Sequence, residues 1–456
     1  MNAQTALAEI NPAYQRDLDR WYPLIDHPTQ LKLANDDKRI KVVPAGRRSG
    51  KTERAKRKVV KEAMKNPGCA YFIAAPTRDQ VKKIYWDDIK RLCFASVLAA
   101  SNVSESNLKI TLLNGASITL IGLDKPQRIE GILWAGGVVD EIADVKDTAW
   151  PENIAPALDT FNPERPDYRP WCWLIGVPDG LNHYYELAEY ARTSGDDEWG
   201  FYTWHSADIL PKDVIEAAKR RMSLRQFRQE YEASFETATG KIYEDYSSDN
   251  YTDDTIEPHE QLLWFHDFNF TPLSSGIGTV RGRNKLFIMD EIILTSAVAR
   301  QSALEFVEKF KNHKNRKLKL FGDPAGRAGE KHGHKSDYTE MEKVLRDNGW
   351  TVERLVKAKA PAIKDRQNAV RAKIRTANGR VTLYVNPKTA PYCHKGLATV
   401  QTKKGSTFLE EDSEYQHITT AIGYCVDKLW PVLPEVEKPE PQEPKPSKQN
   451  WGGLNK

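Results

Sequence analysis

The chain has 456 residues, 40% of them hydrophobic and 29% charged, with a formal net charge of +4 at pH 7. That length suits two domains rather than one core, and the near balance of acids and bases leaves any case for a polyanionic partner to local clusters. No run of about 18 apolar residues occurs, so no membrane-spanning helix is expected. Met1-Asn2-Ala3-Gln4 shows no export-signal pattern, and five scattered cysteines without a CxxC pair predict neither a zinc knuckle nor a disulfide framework.

From about residue 30 to 235, short apolar runs alternate with helical stretches. The runs at 42–43, 71–74, 137–140 and 173–176 read as buried strands, and helices are predicted at 51–64 and 78–92. Such alternation predicts an α/β domain with a parallel-rich sheet. Between 109 and 120, two alternating runs flank Asn114-Gly115, which predicts a β-hairpin. A long polar helix is expected at 214–235, followed by a linker at 236–260. Strands at 262–267, 274–280, 285–291 and 317–323 open a second α/β domain extending to 432. The tail 433–456, rich in Pro, Glu and Lys, is expected to be disordered.

The first strand leads into Ala45-Gly46-Arg47-Arg48-Ser49-Gly50-Lys51-Thr52. A phosphate-binding loop has the pattern GxxxxGK followed by Ser or Thr. Its amides wrap the β-phosphate, its Lys reaches the β and γ oxygens, and its hydroxyl holds Mg²⁺. Here Ala45 takes the first Gly position and Gly46 follows it. The strand at 137–140 ends in Asp140-Glu141. Asp140 is placed to hold the Mg²⁺ shell and Glu141 to orient or deprotonate the attacking water. Gln30 is a candidate reader of the adenine edge, with a plain surface residue as the alternative. Arg47 and Arg48 are candidates to stabilise charge on a transferring phosphoryl group.

In the second domain, Asp267 and Asp323 each end a strand. Two carboxylates so placed can share divalent ions, as two-metal phosphodiester cleavage requires, and oxygen ligands favour Mg²⁺ or Mn²⁺. Two basic clusters, at 309–319 and 357–375, flank these strands. Lys314, Arg316 and Lys317 in the first, and Lys364, Arg366 and Arg371 in the second, are candidate contacts to DNA phosphates. Solvated helix faces are the alternative.

Together these motifs resemble, over nearly the whole chain, the large subunit of tailed-phage terminases. The loop at 45–52 is similar to that family's Arg-containing loop, with Arg47 at its cis arginine. Ala75-Pro76-Thr77-Arg78-Asp79-Gln80-Val81 resembles the segment after its second strand, and Val138-Val139-Asp140-Glu141 its Walker B strand. Gly176-Val177-Pro178 resembles the motif that couples hydrolysis to DNA movement. Phe227-Arg228-Gln229-Glu230-Tyr231 with Phe235 resembles the end of its motor domain. Asp267 and Asp323 match the first two acids of its RNase H-like nuclease.

The resemblance implies a P-loop ATPase domain (1–235) followed by an RNase H-like nuclease domain (261–432). It further implies ATP and Mg²⁺ (or Mn²⁺) as cofactors, and double-stranded DNA, a small terminase subunit and a portal as partners. A homo-oligomeric ring in the cytoplasm of an infected bacterium is also implied. The third nuclease position departs from the family pattern, because Gln416 and Thr420 stand where acids are usual. His417, Asp412 and Glu414 are the candidate replacements. Two other readings follow from the same residues: a helicase or repair ATPase whose RNase H-like module binds without cutting, and an interaction protein with a vestigial loop.

Overall fold

The run Ile40–Pro44 is buried at every residue, as a strand sheathed by helices on both faces must be. It is β1 of the first sheet. The others are β2 (Ala70–Ala75), β3 (Asn102–Ser104), β4 (Lys109–Thr111), β5 (Ser117–Gly122), β6 (Trp134–Asp140), β7 (Trp171–Gly176) and β8 (Trp199–Phe201). In the computed structural model their order is β3-β4-β5-β2-β6-β7-β1-β8. Strands β5 to β8 in that order are parallel, and β3 and β4 form an antiparallel edge. The structure describes residues 19–94, 102–160, 168–236, 240–268, 272–327, 336–403, 406 and 408–432. The expected tail at 433–456 lies outside them.

The hairpin signal is correct in kind. β4 and β5 pair antiparallel, Gly115 adopts φ 81°, and Leu112 N donates to Ala116 O at 2.8 Å. Helices α1 (Pro28–Asn35), α2 (Lys51–Lys65), α3 (Arg78–Phe94) and α4 (His183–Thr193) cover the sheet, leaving apolar clusters on each face. The predicted helix at 214–235 is two helices, α5 (Lys212–Arg221) and α6 (Leu224–Tyr231). The break lies at Met222-Ser223: the extended backbone of Met222 ends α5, and the Ser223 side chain accepts from Gln226 N at 3.2 Å to cap α6.

The second sheet comprises β9 (Leu262–Asp267), β10 (Leu273–Arg281), β11 (Lys285–Leu294), β12 (Lys317–Gly322), β13 (Thr351–Arg354) and β14 (Leu383–Val385), in the order β13-β12-β9-β10-β11-β14. One face packs on α7 (Ala299–Lys309) and α8 (Asp337–Asp347). The other packs on α9 (Ile363–Ile374), α10 (Pro391–Thr399) and α11 (Gln416–Leu429). Every residue of α11 from Ile418 to Asp427 is buried, so this helix is a core element. The first three strands of the sheet are an antiparallel meander, and β12 then returns parallel to β9. Among the described residues no helix is long and apolar enough to cross a membrane, and all five cysteines are buried and outside any disulfide.

Ser223 is 1% exposed, so its cap is not replaceable by water. Ser223→Ala is expected to cost about 1 kcal/mol, read as a lower urea midpoint with an unchanged slope.

Candidate functional site

The first site forms where β1, β6 and β7 end. The loop after β1 is laced to its surroundings through its backbone. Ala45 N donates to Gly176 O (3.1 Å), Gly46 N to Trp204 O (3.0 Å) and Arg47 N to Glu230 O (2.6 Å). Gly46 is required by packing: a Cβ there would lie 2.5 Å from Ser206 N and 2.7 Å from Tyr231 O. Its neighbour Ala45 is buried but unhindered, which explains why the glycine sits one position later than the usual pattern. Gly50 (φ 88°) then turns the chain into α2, whose first residues are Lys51 and Thr52.

Asp140 completes this site. Its Oδ2 accepts from Thr52 Oγ1 (3.0 Å) and from the Tyr85 hydroxyl (2.6 Å), and its Oδ1 from Glu141 N (3.0 Å). Burial, and next the charge of Glu141, push the Asp140 carboxyl up to about 6. Glu141 sits in the left-handed region at φ 51° and accepts from Val177 N at 3.3 Å. Gly176-Val177-Pro178 therefore touches both the loop and Glu141. Tyr85, from α3, was not anticipated; only its place on the buried face of that helix marked it.

Gln30, Arg47 and Arg48 all lie at the loop. Gln30 is 3% exposed, donates to Ser49 O (2.8 Å) and accepts from Arg54 Nε (2.9 Å). Its amide braces the loop, so the adenine-edge reading is not supported. Arg47 is held by Glu230 (Nη1–Oε2 3.1 Å), while Arg48 is an exposed residue at φ 57°.

The second site lies where β9 and β12 end. These strands pair in parallel with Gly322 opposite His266, which sets Asp323 beside Asp267. Gly322 admits no side chain, because a Cβ would meet His266 O at 2.6 Å. The Asp323 carboxylate accepts from Ala325 N (2.8 Å). His417, at the start of α11, places Nδ1 3.1 Å from Asp267 Oδ2, and that bond raises the imidazole above its ordinary value. His266 is fully buried and kept neutral, pushed down to about 3 by burial.

The third position is occupied differently from expectation. Asp412 and Glu414 are exposed, although Asp412 acts on His417 through its charge. Thr420 accepts from Arg366 at 3.3 Å. Glu410, which sequence reasoning missed, is 8% exposed, is in the electrostatic field of Asp267 and Arg366, and is raised by burial. No spacing signal marks it; a bridge between Thr402 and Glu410 folds it inward. Among the described residues no three His, Cys, Asp or Glu side chains converge as a ready metal cage. Asp267 and Asp323 supply hard oxygen donors suited to a divalent ion, with the remaining ligand unassigned.

The basic clusters are corrected. Arg366 and Arg371 are buried, the first against Thr420 and the Tyr424 ring, the second donating to Ile242 O (2.7 Å). Lys364 pairs with Asp179 at 2.8 Å. Lys314, Arg316 and Lys317 lie at the opposite end of β12 from Asp323, and Arg316 is bonded to Lys311 O. These side chains are engaged or distant, so they do not form one groove at the acids.

No family model matches the chain. It is similar to the "Terminase, large subunit" of Thermus virus P23-45, 27% identical over 265 residues, covering 50% of this chain and 53% of that protein. It is also similar to the same-named protein of Escherichia phage T5, 26% identical over 192 residues, covering 41% and 42%. The chain thus spans about half the length of the curated relatives it matches. In fold it is similar to the large terminase of a thermophilic bacteriophage, with a TM-score of 0.60 and 17% identity, covering 89% of this chain and 99% of that one. That phage protein was also solved with ADP and with ATP-γ-S. The resemblance to terminase large subunits holds in sequence and in fold, and the α/β architecture is the expected one.

Asp140 binds its proton more tightly folded than unfolded. Its contribution to stability is therefore present below its ordinary value of 3.8 and is lost as pH rises through about 6. Asp140→Asn should stabilise the nucleotide-free protein at pH 8 by on the order of 2 kcal/mol, with the gain shrinking toward pH 5. Urea midpoints at both pH values check this; an equal gain at both would remove the electrostatic explanation.

Proposed function

We propose that this chain is an ATP-driven DNA translocase with a metal-dependent DNA endonuclease, acting as the large subunit of a terminase. The observation that carries the reading is the joint placement of Lys51-Thr52, Asp140-Glu141 and Gly176-Val177-Pro178 where the neighbouring interior strands β1, β6 and β7 end, in a chain whose second sheet sets Asp267 beside Asp323. The nucleotides bound by the thermophilic phage's terminase, and the names of the curated relatives, support it.

In this reading the 45–50 amides and Lys51 cradle the β- and γ-phosphates. Thr52 and Asp140 hold Mg²⁺, which when bound neutralises charge on the β and γ oxygens. Glu141, oriented by Val177 N, positions the attacking water, and Arg47 leaves Glu230 to stabilise the transferring phosphoryl group. Because Gly176 O holds Ala45 and Val177 N holds Glu141, a change at the phosphate reaches the 176–178 loop directly. Asp267 and Asp323, with His417 or Glu410 close by, would hold Mg²⁺ or Mn²⁺, which when bound stabilises the attacking and leaving oxygens of phosphodiester cleavage. Double-stranded DNA, a small subunit and a portal are the partners this activity requires, with a homo-oligomeric ring around the DNA. A second reading, a helicase-type ATPase with a non-cutting module, is favoured by Gln416 and Thr420 at the third acid position.

Lys51→Ala and Glu141→Gln should lower ATP turnover at least ~100-fold (on the scale of losing one stabilising group) while sparing plasmid cleavage in Mn²⁺. Asp267→Ala and Asp323→Ala should abolish cleavage and spare ATPase. Both activities falling together in every variant would argue against separate sites; ATPase without cleavage in the parent protein would favour the second reading.

A further inference from the structure

The seam between the two domains carries buried guanidinium donors that lack hydrogen-bond partners. Arg225, on α6 of the first, and Arg371, on α9 of the second, line one narrow cleft with Asp179, Gln226, Lys364 and Asn368. Arg371 is 7% exposed. Its Nε donates to Ile242 O (2.7 Å) and its Nη1 to Asn368 Oδ1 (3.0 Å), while its Nη2 is buried without a hydrogen-bond partner. Arg225 Nη1 is buried and unpartnered likewise, since its ion pair with Glu244 spans 3.7 Å, too long for a hydrogen bond. Burial, and next the charge of Arg225, bring Arg371 down to about 10. Glu244 and Glu410 also act on Arg371 through their charge, and Glu410 is itself bonded to Gln367 (3.0 Å). Lys364 and Asp179 neutralise each other at 2.8 Å.

Guanidinium donors buried without an acceptor are costly, and an anion in the cleft that both arginines line would accept from each. The planar donor fork matches the oxygens of a tetrahedral anion. Gln226 adds a rotatable amide whose oxygen is also unpartnered; turned about, it presents two further donors. We propose that this seam is a binding site for a small tetrahedral oxyanion of the phosphate class, gripped by Arg225 from one domain and Arg371 from the other. Free phosphate fits better than a DNA backbone, because both domains wall the cleft and a duplex cannot approach so buried a guanidinium. The bound anion fastens the domains together, and this holds whether or not the chain is an ATPase.

The test uses the full chain carrying Lys51→Ala, which removes phosphate binding at the 45–52 loop. Thermal unfolding is followed while sodium phosphate is titrated against sodium chloride at matched ionic strength. A saturable rise in Tm specific to phosphate is expected, lost when Arg225→Gln is added and weakened about tenfold in apparent affinity by Arg371→Lys, which removes the planar fork. Circular dichroism of the Arg225→Gln protein checks that α6 remains folded. No saturable rise, or one that survives Arg225→Gln in the folded protein, overturns the site. An Arg225-dependent rise with a short DNA duplex but not with phosphate overturns the free anion as the ligand.

Discussion

Much of the first domain's chemistry hangs on two consecutive backbone groups at the end of β7. Gly176 O accepts from Ala45 N, and Val177 N donates to Glu141. Strand order makes this unavoidable, because β7 lies between β6, which delivers Asp140 and Glu141, and β1, which delivers the loop. The loop cannot shift without pulling Gly176, and Glu141 cannot turn without releasing Val177. Two residues further on, Asp179 meets Lys364 of the second domain at 2.8 Å and Gln229 of α6 at 3.4 Å. The next residue of α6, Glu230, holds Arg47. One short segment therefore touches the phosphate loop, the candidate water-orienting acid and the domain seam.

The same site is electrostatically tense. Asp140 and Glu141 are neighbours in sequence, Asp140 is 1% exposed, and Glu141 holds a backbone conformation uncommon for a residue with a side chain. Thr52 and Tyr85 donate to Asp140, and Lys51 contributes positive charge, yet burial still raises the carboxyl. Such tension suits a group that works against a cation, since replacing the proton by a metal restores the ionised form in a place where water cannot compete.

The first candidate site was legible because its motifs are local. A loop and a strand end carry their meaning in contiguous residues, and Lys51, Thr52, Asp140 and Glu141 stand where the pattern put them. The longer strands of both sheets were legible from apolar runs, including β9 and β12, whose parallel pairing brings Asp267 and Asp323 together, whereas the short strands β3, β8, β13 and β14 were not. What failed was long-range. Gln30 looked like a ligand reader because nothing in sequence shows Ser49 O and Arg54 waiting for its amide. Arg366 and Arg371 looked like surface charge because α9 carries bases on both faces, and only tertiary packing decides which face is inside. Ser223 could have been read as a break, since a capping residue between two polar helical runs has that local meaning.

The second candidate site shows how a position without an acid changes its surroundings. Burial from Ile418 to Asp427 fixes the rotation of α11, so His417 faces Asp267 and Thr420, three residues on, shares that side of the helix. An acid at 420 would pair with Arg366, which instead donates to the Thr420 hydroxyl and stacks over Tyr424 at 4.8 Å. A hydroxyl leaves the guanidinium's charge unbalanced. Glu410, in the field of both Arg366 and Asp267, supplies the opposing charge from the 401–411 ribbon. The negative charge at this end of the sheet has thus moved from a helix to a ribbon held by the Thr402–Glu410 bridge and the Gln367 amide. The Glu410 carboxylate is thus placed by the Thr402–Glu410 bridge and the Gln367 amide rather than by the register of α11.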